Sequence, residues 1–189
     1  MRIIAGEMRS RKLKAPEGMD TRPTADRVKE ALFSILGSRV IGARVLDLYG
    51  GSGALALEAL SRGAHSAVVC DVSAKACAAI QENIDALHCG GRAKLLRMKD
   101  TAALAALEKQ GDAFDLVFLD PPYRMSTVPI CRAILDGGLL RGDGMIVIEH
   151  ARETPPDIPP PLRQTDHRTY GAAGLGFYER ENTEGGNGL

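Results

Sequence analysis

Asp120-Pro121-Pro122-Tyr123 is the tetrapeptide with the narrowest chemical meaning in this chain. It follows the apolar run Phe114–Leu119, which reads as a strand, so it falls at the sheet edge where open α/β folds bind ligands. Each prolyl nitrogen lacks a hydrogen and each ring fixes φ, which makes the turn stiff and rich in acceptors. A carboxylate, carbonyl oxygens and a flat ring suit the exocyclic amino group of a nucleobase. Such a group has two N–H donors and a lone pair delocalised into its ring. Accepting both hydrogens localises the lone pair and aims it at an electrophile, while Tyr123 can stack on a base removed from its helix or loop. A plain Pro-rich turn accounts for the two prolines, but not for the acid before them and the aromatic after.

The second constellation is a glycine turn between two acids. Asp47-Leu48-Tyr49-Gly50-Gly51-Ser52-Gly53 lies where a strand turns into a helix, and Asp71 ends the next strand. Glycines there allow tight turns and close approach of a ligand to the helix N-terminus. An acid at the position of Asp71 can accept from both hydroxyls of a ribose. The pair predicts an adenosine-containing cofactor, and two compete. Gly51-Ser52-Gly53-Ala54-Leu55-Ala56 matches the G-x-G-x-x-A dinucleotide pattern, which with Asp71 would suit NAD. Asp47 speaks against it, because a carboxylate repels a pyrophosphate and attracts a sulfonium or ammonium group. Asp-x-x-Gly-Gly-x-Gly resembles motif I of the S-adenosylmethionine (SAM) methyltransferases.

These motifs need a framework that brings strand ends to one edge. From Arg44 onward short apolar runs alternate with helical patterns. Strands are expected at Val45–Leu48, Ala67–Cys70, Lys94–Arg97, Phe114–Leu119 and Met145–Glu149. Helices are expected at Ala54–Arg62, from a Ser73 cap to about Leu87, at Ala102–Lys109 and at Val128–Leu135. Such alternation implies βαβ units and a parallel sheet covered on both faces. Arg163–Tyr170 and Leu175–Glu179 could close the sheet as an antiparallel pair. Before this region a helix from about Thr24, as its N-cap, to Gly37 carries one apolar stripe of Val28, Ala31, Leu32, Ile35 and Leu36.

The length of 189 residues favours a single domain, which can bury roughly 70% of its unfolded surface. We expect residues 1–180 to form it, with a basic arm over 1–22, the helix over 23–37 and a disordered polar tail over 181–189. With 44% hydrophobic and 25% charged residues the composition is that of a globular protein rather than a disordered one. The apolar runs are too short to span a membrane, and the N-terminal residues lack a signal-peptide core, so a cytoplasmic location is expected. Cys70, Cys77, Cys89 and Cys131 have neither metal-ligand nor disulfide spacing and read as small buried hydrophobes; no metal is expected.

The stretch Arg22-Pro23-Thr24-Ala25-Asp26-Arg27-Val28-Lys29-Glu30-Ala31-Leu32-Phe33 resembles the R-P-T-x-D-R-x-[KR]-E-x-L-F segment of one group of exocyclic-amino methyltransferases. Together with GEMRSRKLKAP near the start, DLYGGSG, GALALEALSRGA and DPPY, it makes the chain similar to the RsmD family over roughly residues 1–180. Those enzymes methylate the N2 amino group of a guanine in bacterial small-subunit (16S) ribosomal RNA. The resemblance implies a Rossmann-like α/β class I methyltransferase fold, with a mostly parallel seven-stranded sheet, helices on both faces and an antiparallel last strand. It implies SAM as cofactor, held by Asp47, Tyr49, Gly50, Gly51, Ser52 and Gly53, with Asp71 on the ribose and Asp100 at the adenine or, equally, capping the helix at Thr101. Asp120, Pro121, Pro122 and Tyr123 would hold the target base. Where the family commonly has Phe-Ala and Glu, this chain has Tyr49-Gly50 and Asp71.

Charge is unevenly placed: residues 1–44 hold ten Lys and Arg against five acids, although the whole chain is neutral. A basic run is usually a solvated face. With an RNA substrate, Arg9, Arg11, Lys12 and Lys14, joined by Arg22 and Arg27, become candidate phosphate contacts. The expected partner is ribosomal RNA or an assembling small subunit, and the expected state is a monomer. DPPY does not name the base, so methylation of an adenine amino group in DNA or RNA is the rival within the class. A protein glutamine target usually goes with Asn-Pro-Pro-Tyr. An NAD-dependent oxidoreductase would leave Asp120–Tyr123 without a role, and a non-catalytic RNA-binding module would leave the glycine turn without one.

Overall fold

The computed structural model describes residues 1–17, 23–122 and 125–181. Arg22, Tyr123 and all but the first residue of the tail expected to be disordered lie outside them.

Helix α1 (Pro23–Leu36) is followed by a short 3-10 turn and by β1 (Arg44–Asp47). Four strand-helix units come next: α2 (Ala54–Ser61) and β2 (Ser66–Asp71), α3 (Ala74–Ala86) and β3 (Ala93–Arg97), α4 (Asp100–Gln110) and β4 (Phe114–Leu119), α5 (Val128–Asp136) and β5 (Leu140–Ala151). A hairpin of β6 (Leu162–Tyr170) and β7 (Ala173–Arg180) completes a seven-stranded sheet of order β3-β2-β1-β4-β5-β7-β6. The first five strands are parallel; β7 runs antiparallel to both of its neighbours. Strand order reverses between β1 and β4, and that switch point is where an α/β sheet opens a crevice at its carboxyl edge.

The apolar residues sort by face. Val45, Val69, Leu116, Phe118 and Val147 meet α1, α2 and α3 on one side, while Leu46, Val117, Ile146 and Ile148 meet α4 and α5 on the other. Helix α1 docks through Val28, Leu32 and Leu36, with Ala31 and Ile35 at the margin. The expected stripe omits Phe33, which is fully buried edge-on against Phe118 with ring centroids 5.9 Å apart. The helix begins at Pro23, so Thr24 is within its first turn rather than at its cap; proline is favoured there because its missing N–H has no helical partner to lose. Strand β5 is far longer than Met145–Glu149. It takes in Gly142-Asp143-Gly144 as well, and the chain absorbs them in a register shift against β4 between Phe114 and Leu116.

The N-terminal residues do not form a loose arm. Arg2 and Lys12 make an antiparallel bridge, and Ile3, Met8 and Leu13 are buried in the core. The anchor is Glu58 on α2, which is wholly buried. Its carboxylate accepts from the amides of Ile4 (2.8 Å) and Ala5 (3.0 Å) and pairs with Lys29 Nζ (3.1 Å) and Arg62 Nε (2.8 Å). Lys29 in turn donates to the Arg2 carbonyl. Asn83 on α3 makes the second anchor: its Oδ1 accepts from the Lys14 amide (2.8 Å) and its Nδ2 donates to the Lys14 and Ser52 carbonyls (2.9 Å each).

Removing one partner of a buried ion pair strands the other charges. Glu58→Ala is expected to cost about 3–5 kcal/mol in urea denaturation. Glu82→Ala, which breaks the exposed pair with Lys14, is expected to cost less than about 1 kcal/mol in the same measurement.

Candidate functional site

Four carboxylates line the carboxyl edge of the sheet in strand order. Asp71 ends β2 and Asp47 ends β1, Asp120 follows β4, and Glu149 lies near the end of β5. The alternation of side chains along each strand carries all four to the face covered by α1–α3. All four line one cavity of about 640 Å³, a volume ordinary for a small-molecule site. Tyr49, Gly50, Gly51 and Ser52 form its floor, and Pro121 and Pro122 close one end. Val28, Lys29 and Leu32 of α1, with Met1, Ala15 and Pro16, form a wall that single-motif reading does not find.

Crowded acids in a partly desolvated pocket hold their protons. Burial, with the charge of Asp120 next, pushes the pKa of Asp47 up to about 7, although the amides of Ala56 and Tyr49 pull it down. Asp120 is exposed to the cavity, but the protein around it excludes enough water to raise it to about 6. Burial and then Asp120 raise Glu149 to about 7. A ligand bearing a positive charge or several N–H donors would relieve this repulsion, and the donor set therefore fits a sulfonium and an amine.

The glycine turn is suited to that ligand and not to a pyrophosphate. Three of its amides are spent inside the protein: Gly50 N donates to the Cys70 carbonyl (2.9 Å), Gly51 N to Asp71 Oδ2 (2.9 Å) and Gly53 N to the Gly50 carbonyl (2.6 Å). Asp47 already occupies the amino end of α2 through Ala56. A phosphate brought to this turn would meet the carboxylates of Asp47 and Asp71, which speaks against the NAD reading. Gly53 adopts φ +77° as the residue before α2, which favours glycine, and a Cβ on Gly50 would come within 2.3 Å of the Val69 side chain, so an alanine there needs Val69 to move aside.

The expected residues do not all play the same part. Asp71 uses Oδ2 on Gly51 and Oδ1 on the Ser73 amide (2.8 Å), so it clamps the turn while still facing the cavity. Asp100 is not among the cavity-lining residues. It sits in the first turn of α4, accepts from the Thr101 amide (2.7 Å) and takes the Tyr49 hydroxyl (2.6 Å), which holds that ring against the cavity. Gly53 also lies behind the lining. Arg27 is exposed on α1, next to the wall formed by Val28 and Lys29. No motif marks Glu149 as a site residue, although a signal is present: it is an acid closing the apolar run Met145–Ile148, as Asp47, Asp71 and Asp120 close theirs. Among the described residues no group of three side chains could hold a metal ion, and no helix is long and apolar enough to cross a membrane.

The family described as Conserved hypothetical protein 95 matches residues 1–179 of this chain. The ribosomal RNA small subunit methyltransferase D of Escherichia coli is 33% identical over 183 residues, covering 96% of this chain and 90% of that one. The chain belongs to the RsmD family. Bacillus subtilis YlbH, whose name proposes rRNA methyltransferase activity, is 38% identical over 182 residues, with 95% and 99% covered. The solved structure of E. coli yhhF, described as a proposed methyltransferase, superimposes with a TM-score of 0.83 at 33% identity over 96% of this chain and 98% of that one. The fold of this RsmD-family member is thus the methyltransferase sheet, with its last strand antiparallel.

The raised acids give the ligand-free protein a measurable pH dependence. The folded state holds protons at Asp47, Asp120 and Glu149 that the unfolded chain releases at lower pH. Their contribution to stability is full below the ordinary carboxylate pKa and is lost as pH rises through 6 to 7. Urea denaturation is expected to give a lower unfolding free energy at about pH 8 than at about pH 5.5, with Asp47→Asn flattening the slope.

Proposed function

We propose that this chain transfers a methyl group from SAM to the exocyclic N2 amino group of a guanine in small-subunit ribosomal RNA. Membership of the RsmD family supports SAM-dependent rRNA methylation. The observation that carries the chemical reading is the acid rim, whose carboxylates share one cavity with the rigid Asp120-Pro121-Pro122 turn.

SAM, when bound, supplies an electrophilic methyl group on a cationic sulfur. Asp47 and the Tyr49–Ser52 turn hold its amino-acid part, and Asp71 takes the ribose while keeping the turn clamped. Asp100 acts through Tyr49 rather than by direct contact. Asp120 and the carbonyl of Pro121 would accept the hydrogens of the target amine, orient its lone pair and take the proton lost as the C–N bond forms and the methyl–sulfur bond breaks, the sulfur leaving as the neutral thioether. Pro122 keeps this turn from offering a competing donor. Most of the rate enhancement then comes from alignment and from acceptors fixed in advance.

The basic N-terminal residues divide by partner. Arg11 donates to the Ala86 carbonyl and Lys14 pairs with Glu82, whereas Arg9 and Lys12 are exposed and make no ion pair among the described residues. Arg9 and Lys12, with Arg27 on α1, are therefore the phosphate contacts we favour. The substrate is rRNA, free or in an assembling subunit, and the enzyme acts as a monomer.

Purified protein, labelled SAM and small subunits from unmethylated cells, with naked rRNA and duplex DNA beside them, test the reading by mass spectrometry of the digested product. N2-methylguanine is expected; labelled adenine or DNA would refute it. Asp120→Ala is expected to lower transfer by at least about a thousandfold with SAM affinity nearly unchanged in calorimetry. Because Ile3 and Leu13 belong to the core, the basic face is tested by charge removal and not by deletion. Arg9→Gln with Lys12→Gln is expected to reduce the slope of log K against log salt for RNA binding by about 1–2.

A further inference from the structure

Glu149 is the one acid of the rim to which neither the cofactor nor the amine chemistry gives a task. Strands β4 and β5 pair in parallel with Leu119 opposite Ile148, so the next residues, Asp120 and Glu149, leave adjacent strands at the same level. Parallel partners point to the same face, and neighbouring strands lie about 4.8 Å apart. The two carboxylates therefore face the cavity side by side. Glu149 is half-buried, and its carboxylate makes no hydrogen bond or ion pair among the described residues.

Two adjacent acceptors match two adjacent donors. On guanine the N2 amino group sits beside the ring N1–H, so that edge presents donors at neighbouring positions. On adenine the amino group sits beside an N1 lone pair, and a carboxylate there meets an acceptor. We propose that Glu149 accepts the guanine N1–H while Asp120 accepts from N2, making Glu149 the residue that selects guanine over adenine. The inference rests on the guanine-N2 reading above. It assigns the two acids different work: Asp120 serves the reacting nitrogen, and Glu149 reads the atom next to it. A site built around a polar donor rejects an analogue that lacks it more strongly than an apolar pocket rejects a change of shape, because the site's own buried group is left unpaired.

The test uses small subunits reconstituted from rRNA in which the mapped target is either guanosine or 2-aminopurine riboside, introduced by splinted ligation. 2-Aminopurine keeps the N2 amino group but carries a lone pair at N1. Wild-type protein is expected to prefer guanosine in kcat/KM by at least about tenfold. Glu149→Gln, whose amide can donate to an N1 lone pair, is expected to shrink that preference by about tenfold or more, chiefly by losing activity on guanosine. Loss of the O6 oxygen in 2-aminopurine is common to both proteins and cancels in the change of ratio. Equal use of both bases by the wild type would overturn the proposal without any variant, should Glu149→Gln fail to fold or bind SAM. A variant that lowers both activities in the same proportion would also overturn it, since a merely structural residue behaves that way. N2-methylguanine with an unchanged ratio would refute the role of Glu149 alone, whereas methyladenine from the wild type would refute the guanine reading with it.

Discussion

A carboxylate with no access to water organises one whole side of this molecule. Glu58 sits on α2, directly after the glycine turn, and gathers two backbone amides, a lysine and an arginine from three separate segments. The carboxylate itself is wholly buried and Lys29 nearly so, so separating these segments one at a time would leave buried charge poorly paired. Arg62 also spreads over the ring of Phe33, 5.0 Å from its centroid, which ties the ion cluster to the packing of α1 on β4. The wall of the cavity formed by Val28, Lys29 and Leu32 stands where it does because Lys29 is held from below.

The opposite wall obeys a different constraint. Four acids stand at the ends of four neighbouring strands, and burial favours the protonated form of three of them, Asp47, Asp120 and Glu149, which lowers the charge they bring together. A cation or a donor-rich base edge placed among these carboxylates would be attracted by their charge and would satisfy their acceptors. The same rim acts against anions: with Asp47 and Asp71 beside the turn, a phosphate at the head of α2 would lie among carboxylates.

Much of this was legible in the sequence because strand ends announce themselves. The apolar runs before Asp47, Asp71 and Asp120 each stop at an acid, and the alternation of strands and helices brings such stops to one edge. Glu149 obeyed the same rule and was passed over because no motif surrounds it. The long form of β5 was hidden by Gly142 and Gly144, whose turn-like composition the sheet accommodates as a local irregularity. The docking of the N-terminal residues was hidden for another reason. Arg9, Arg11, Lys12 and Lys14 dominate the composition of that stretch, while the residues that fix it, Glu58, Ser61 and Asn83, lie far along the chain and look like ordinary helix-surface positions. Local pattern reports which residues are apolar; it does not report which distant carboxylate will receive an amide.

That docking has a consequence for how the chain is made. Residues 2–14 leave the ribosome before the helices that carry their partners, and the contacts of Met8 with Ser61, Lys14 with Asn83 and Arg11 with Ala86 close loops of 53, 69 and 75 residues. Contacts of that span form only after the intervening strands have been synthesised and paired. This segment, translated before its partners, is therefore among the last to reach its native surroundings, and until then Ile3, Met8 and Leu13 travel exposed. Arg2, Arg9, Arg11, Lys12 and Lys14, interspersed among those three residues, keep the waiting segment soluble, a service these lysines and arginines perform before any substrate is met.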